Sequence, residues 1–125
     1  EARFGRVSPQ MGNGIEDLYA SDVVFRDPLT QLKGADAMAR YLTHFGNTAD
    51  GARFEITRRI IQPGEAVVFW TMTTAGGDNS IDGVSHMIIA ERIVEERDFF
   101  DLDQVYDKVP VVNWFTGLVK SRLKP

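Results

Sequence analysis

Apolar residues recur at three- and four-residue spacing along residues 35–45, where Met38, Tyr41, Leu42 and Phe45 form one stripe. That period predicts an amphipathic helix, opened after Gly34 and stopped by Gly46 and Asn47. An earlier helix is expected from Ser8-Pro9, a cap followed by proline at the first helical position, running through Ile15, Leu18 and Tyr19. Gly12 and Gly14 weaken it. Between the two, Val23, Val24 and Phe25 lead into Arg26-Asp27-Pro28. The proline ends a ladder and keeps Asp27 out of helical geometry, so Asp27 falls at a strand end.

From Ala52 onward the pattern turns to β-formers. Phe54, Ile56, Ile60 and Ile61 are followed by a Pro63-Gly64 turn, then by the β-rich run 66–74, then by a turn at Gly76-Gly77-Asp78-Asn79. Residues 81–89 and 92–100 are the last two strands, joined through Ala90-Glu91. In the tail, Leu102, Val105 and Tyr106 share one helical face, and Val112, Phe115, Leu118 and Val119 share another, with a break at Pro110. Turns too short for crossovers join the strands, and helices flank them. The order therefore argues an α+β fold with antiparallel neighbours.

Composition narrows the rest. A chain of 125 residues, 43% of them hydrophobic, suits one core, so residues 1–125 are expected to form a single domain. A net charge of −4 argues against nucleic acid, whose binding needs basic side chains on phosphates. No cysteine occurs, which rules out disulfides, thiolate metal sites and thiol nucleophiles. With two histidines in no ligand spacing, no metal site is expected. The first twenty residues lack the basic start and apolar run of an export signal, and no apolar run approaches the length needed to span a bilayer. A soluble, cytoplasmic protein that does not bind membranes is expected.

Four segments together resemble the bacterial SnoaL-like domains of the nuclear-transport-factor-2 (NTF2) superfamily, which shares its fold with ketosteroid isomerase. They are residues 18–28 (LYASDVVFRDP), Leu32-Lys33-Gly34, Gly83-Val84-Ser85-His86 and residues 97–101 (RDFFD). The resemblance implies a cone: a strongly bent antiparallel sheet wrapped around N-terminal helices with a C-terminal helical tail, enclosing a pocket for a small apolar or polycyclic molecule. It also implies a homodimer formed through the outer sheet face. Matching the last two strands to the isomerase pattern puts Ser85, Met87, Asp98 and Phe100 in the pocket, with Glu96 deeper on the same face. Phe25 joins if Asp27 faces inward, Phe69 and Thr71 are expected from the neighbouring strand, and Tyr41 from the helix. His86, Arg97 and Phe99 then point the other way.

Asp27-Pro28 matches the isomerase's general base, and SnoaL-like cyclases carry an acidic residue near Asp98. The resemblance to the isomerase stops there, since Ser85 stands where a protonated aspartate would be and no tyrosine lies near Arg3 and Phe4. If the chain is an enzyme, the expected chemistry is cofactor-free proton transfer. Asp27 would be the base, Asp98 the second acid or base, and Ser85 and Tyr41 orienting donors. Each carboxylate also has a structural reading: an Asx turn before Pro28 for Asp27, and an ion pair with Arg26 or another arginine for Asp98. Ser85 and His86 are strand neighbours on opposite faces and make a poor nucleophilic pair. The alternative to an enzyme is a non-catalytic ligand-binding or association module whose outer face, expected around Trp70 and Met72, pairs with another subunit.

Overall fold

The computed structural model describes residues 3–104. The tail helices expected beyond residue 104 lie outside that range. A seven-stranded sheet dominates, formed by β1 (Arg3–Arg6), β2 (Tyr19–Arg26), β3 (Gln31–Lys33), β4 (Arg53–Gln62), β5 (Glu65–Thr73), β6 (Ser80–Ile89) and β7 (Ile93–Phe100). Its spatial order is β1-β4-β5-β6-β7-β2-β3. One helix, α1 (Ala35–Thr48), packs on β2 and β3. The architecture is α+β, with a curved sheet.

Every neighbouring pair is antiparallel except β2 with β7, which run parallel. That parallel pairing brings the end of β2 beside the middle of β7, Arg26 opposite Arg97, although some 70 residues separate them in the chain. It is what places Asp27 near the β7 carboxylates.

The Ser8-Pro9 segment does not form the expected helix. After β1 it makes a series of turns and a short 3-10 turn, Ile15–Asp17, and Tyr19 already belongs to β2. Two glycines explain this. Gly14 sits at φ 73, a left-handed conformation that ends a helix, and any Cβ at Gly12 would collide with Thr43 of α1. Gly46 serves the same close approach. It does not stop α1, which runs on through Gly46 and Asn47 to Thr48, and a side chain there would strike the Ser8 carbonyl.

Along the apolar stripe of α1 Met38 and Phe45 are buried and Tyr41 and Leu42 half-buried, and the stripe divides the interior into two clusters. Met38 packs with Tyr19, Val23, Phe25, Leu32 and Ile93, while Phe45 packs with Val7, Ala49, Ala52, Met72 and Ile81. Tyr41 touches both. The β4–β5 register shifts between Ile56 and Arg58, and β4 residues beyond that bulge, Ile60 and Ile61 included, are exposed.

Candidate functional site

A cavity of about 270 Å³ opens between α1 and the sheet. Its walls are mostly apolar: Met11 from the turns between β1 and β2, Leu42 and Phe45 from α1, Phe54 and Ile56 from β4, Val68, Trp70 and Met72 from β5, Ile81 from β6 and Phe100 from β7. Its polar groups are Asp27, Tyr41, Ser85, Glu96 and Asp98, together with the indole N–H of Trp70. Apolar walls with a few convergent polar groups are the usual make-up of a small-molecule site.

Asp27 follows β2 at the cavity wall, and both its oxygens are held. Oδ1 accepts the backbone N–H of Leu29 at 2.8 Å, the Asx turn that Pro28 leads one to expect, and Oδ2 accepts the Tyr41 hydroxyl at 2.6 Å. Burial nevertheless raises the Asp27 pKa above the ordinary carboxylate value, with the two hydrogen bonds acting in the opposite direction. Tyr41 is itself pushed well up, first by burial and then by the charge of Asp27, so it stays a hydroxyl donor.

Asp98 and Glu96 alternate with exposed residues along β7, and Glu96 is 7% exposed. Glu96 accepts the hydroxyl of buried Tyr19 at 2.6 Å. Asp98 is raised well above the ordinary value, first by burial and then by neighbouring Glu96, with Asp27 adding a smaller effect. No arginine is among the groups that shift it, so the ion pair with Arg26 is not formed. Its Oδ1 is buried and has no hydrogen-bond partner among the described residues. A carboxyl group in that setting favours its protonated form and can donate.

Ser85 Oγ accepts the Trp70 indole N–H at 2.9 Å. His86, on the opposite face of β6, pairs with Glu65, which it draws below the usual carboxylate range. The two neighbours therefore make no nucleophilic couple, as strand geometry requires.

Of the residues expected in the pocket, Asp27, Tyr41, Ser85, Asp98 and Phe100 line the cavity, and so does Glu96. Phe25 and Met87 do not. Phe25 is 1% exposed in the second cluster, with its ring 5.1 Å from that of Tyr41, and Met87 packs against the same cluster. Phe69 and Thr71 lie on the other face of the sheet, beside Thr57, Asp82 and Phe99.

The register explains the correction: Val68 pairs with Ser85 and Trp70 with Gly83, so the even-numbered residues of β5 share the cavity face of β6. Trp70 and Met72 accordingly sit inside, not on the outer face, and Met72 is 4% exposed. The Trp70 ring occupies the space that a side chain at Gly83 would fill. Tyr19 and Trp70 are polar contributors that the sequence reading assigned elsewhere; a glycine placed opposite a tryptophan on paired strands was the available signal for the latter.

Among the described residues, no group of three or more His, Cys, Asp or Glu side chains is arranged to hold a metal ion. No helix among them is long and apolar enough to cross a membrane.

A curved sheet wrapped on α1, with a cavity between them, is the NTF2-like cone. The chain belongs to the SnoaL-like family: residues 6–96 match the SnoaL-like domain. Solved structures agree on the fold. A candidate isomerase of the SnoaL-like family from Agrobacterium tumefaciens strain C58 superposes with TM-score 0.64 at 20% identity, over 70% of this chain and 77% of that one. A candidate SnoaL-like polyketide cyclase from Shewanella putrefaciens CN-32 gives 0.68 at 15% identity, over 82% and 77%. An NTF2-like protein of unknown function from Mesorhizobium loti gives 0.63 at 22% identity, over 72% and 77%. No curated protein matches the chain.

Proposed function

We propose that this chain binds a small apolar or polycyclic molecule bearing an oxygen function and moves a proton on it without a cofactor, in the manner of an isomerase or cyclase. The observation that carries the reading is Asp27. This carboxylate stands at the wall of an apolar cavity, fixed by Tyr41 and the Leu29 amide, with its pKa raised toward the range where a base works. Asp98, raised further, supplies the complementary acid, and two carboxyls raised to different extents by their surroundings suit acid–base chemistry on one ligand. Ser85 orients the ligand's oxygen, while the Tyr41 hydroxyl is committed to Asp27. The kinship with an isomerase and a cyclase by name supports the class of reaction and not a substrate.

The test is proton exchange. Apolar cyclic ketones incubated with the protein in D2O are followed by mass spectrometry for deuterium entering next to the carbonyl. The reading expects exchange above background with the wild type and none with Asp27→Asn, whose unfolding temperature stays close to that of the parent. Equal exchange by both proteins overturns it.

A second reading is favoured by one feature of the outer face. Phe69, Val84 and Phe99 stand in register across β5, β6 and β7, Phe99 is 44% exposed, and the Arg97 guanidinium lies 4.9 Å from its ring centre. An apolar row of this kind suits pairing with a second copy of the chain, which makes a homodimer the natural partner. The two readings are compatible, because the cavity and this row lie on opposite sides of the sheet.

A further inference from the structure

The polar end of the cavity is acidic, and no Lys, Arg or His among the described residues lines it. Three carboxyl groups converge there, Asp27 from the end of β2 and Glu96 and Asp98 from β7. The Tyr41 hydroxyl and the Leu29 N–H donate to Asp27 and the Tyr19 hydroxyl to Glu96, while Asp98 is hydrogen-bonded with Glu96 and Ser85. Asp98 Oδ1 has no partner among the described residues. The aromatic rings of Phe45, Phe54, Trp70 and Phe100 line the same cavity, Phe100 on the same face of β7 as Asp98. Carboxyl groups and aromatic rings lining one cavity are surroundings that suit an organic cation: a cation entering beside Asp27 and Asp98 favours their ionised form, and the rings supply cation–π contacts. An anion gains no such partner there and would be buried beside carboxyl groups whose ionisation it opposes.

Resting on the pocket reading above, we propose that the cavity selects its ligand by charge, taking an apolar molecule that bears a protonated amine and excluding carboxylate-bearing molecules of the same size. The oxygen function of the substrate and this nitrogen are separate requirements, one for Asp27 to act beside and one for the acidic end to hold.

Three ligands with one cage-like skeleton separate the possibilities: 1-aminoadamantane, adamantan-1-ol and adamantane-1-carboxylate. Binding to the full chain is measured near neutral pH by calorimetry, with tryptophan fluorescence reporting Trp70. Both are repeated at high salt, to remove general attraction to an acidic protein, and with the Asp27→Asn/Asp98→Asn double variant and a separate Glu96→Gln variant.

The expected result is an amine bound about tenfold more tightly than the alcohol, no binding of the carboxylate, and a preference that collapses in whichever of the two variants melts cooperatively. The preference also fades on acidification, as Asp27 takes up its proton. Alcohol binding equal to or tighter than amine binding overturns the charge selection and leaves the pocket reading standing. A preference that survives in the folded variants overturns it as well, by placing the cation elsewhere. Failure of all three ligands to bind removes the pocket reading and this inference together.

Discussion

The Tyr41 hydroxyl donates to Asp27 Oδ2 at 2.6 Å, tying the middle of α1 to the end of β2 across the mouth of the two apolar clusters. The residue that anchors the helix in the core thus also holds the carboxylate assigned the base. Tyr41→Phe keeps the ring against Phe25 and removes only the donor. The hydrogen bond lowers the Asp27 pKa, so its loss raises that pKa further. The pH dependence of the Asp27-dependent deuterium exchange is expected to move to higher pH, at a stability cost of about 1 kcal/mol. An exchange profile recorded from acid to alkaline pH checks it, and an unmoved midpoint refutes the role given to Tyr41.

Asp98 makes a prediction about stability. Its folded pKa is raised well above the value in the unfolded chain, by burial first and by Glu96 second. The folded state therefore holds this proton more tightly than the unfolded one. The stabilisation is complete below the ordinary carboxylate pKa and is lost as pH rises through the folded value. Asp98→Asn removes the titration. At neutral pH the variant is expected to be more stable than the parent, on the order of 1–2 kcal/mol, as when a functional group held at a cost is replaced. Unfolding temperatures measured across the acid-to-neutral range should fall with pH in the wild type and flatten in the variant; parallel curves for the two proteins would show that Asp98 is not held as described.

Gly83 leaves room for Trp70. Gly83→Val should push the indole from its bond with Ser85 and destabilise the protein by about 1–3 kcal/mol, the usual cost of forcing bulk into a packed site. Denaturant unfolding measures the loss, and a shift in tryptophan emission reports the displaced ring. Val84→Ala, one residue along on the other face, should leave the emission unchanged.

The outer face has its own test. Phe99→Glu and Val84→Glu place charge in the apolar row without touching the cavity, and both are expected to convert a dimer to a monomer in gel filtration while leaving cavity binding intact. Elution volumes identical to that of the parent count against dimerisation through this face. Trp70→Glu, which sequence parity alone would have chosen for this purpose, should instead destroy the cavity.

The contrast between Trp70 and Phe99 shows what the sequence made legible. The period of α1, the strand pattern after Ala52 and the Asp27-Pro28 strand end were readable because each depends on local spacing. Cavity residues on β7 and at Ser85 were placed correctly because resemblance supplied the register of the last hairpin. Register between β5 and β6 had no such guide, and a slip of one residue exchanged Phe69 and Thr71 for Val68 and Trp70. Local spacing also misread Ser8-Pro9 as a helix cap, since the glycines that follow are needed for packing against α1, a contact made only in the folded chain. The pairing of Tyr19 with Glu96, 77 residues apart, is likewise a product of the parallel β2–β7 neighbourhood that short-range reading does not see.

The proposed function requires the cavity between α1 and the sheet to hold a small apolar molecule in reach of its carboxyl groups. A high-resolution crystal structure of protein purified directly from cells tests it most directly, by the density between Asp27, Ser85 and Asp98. A bound apolar molecule is expected there, with a polar atom within hydrogen-bonding distance of Asp27 or Asp98. A cavity closed by the side chains of Phe54, Trp70 and Phe100 would contradict it.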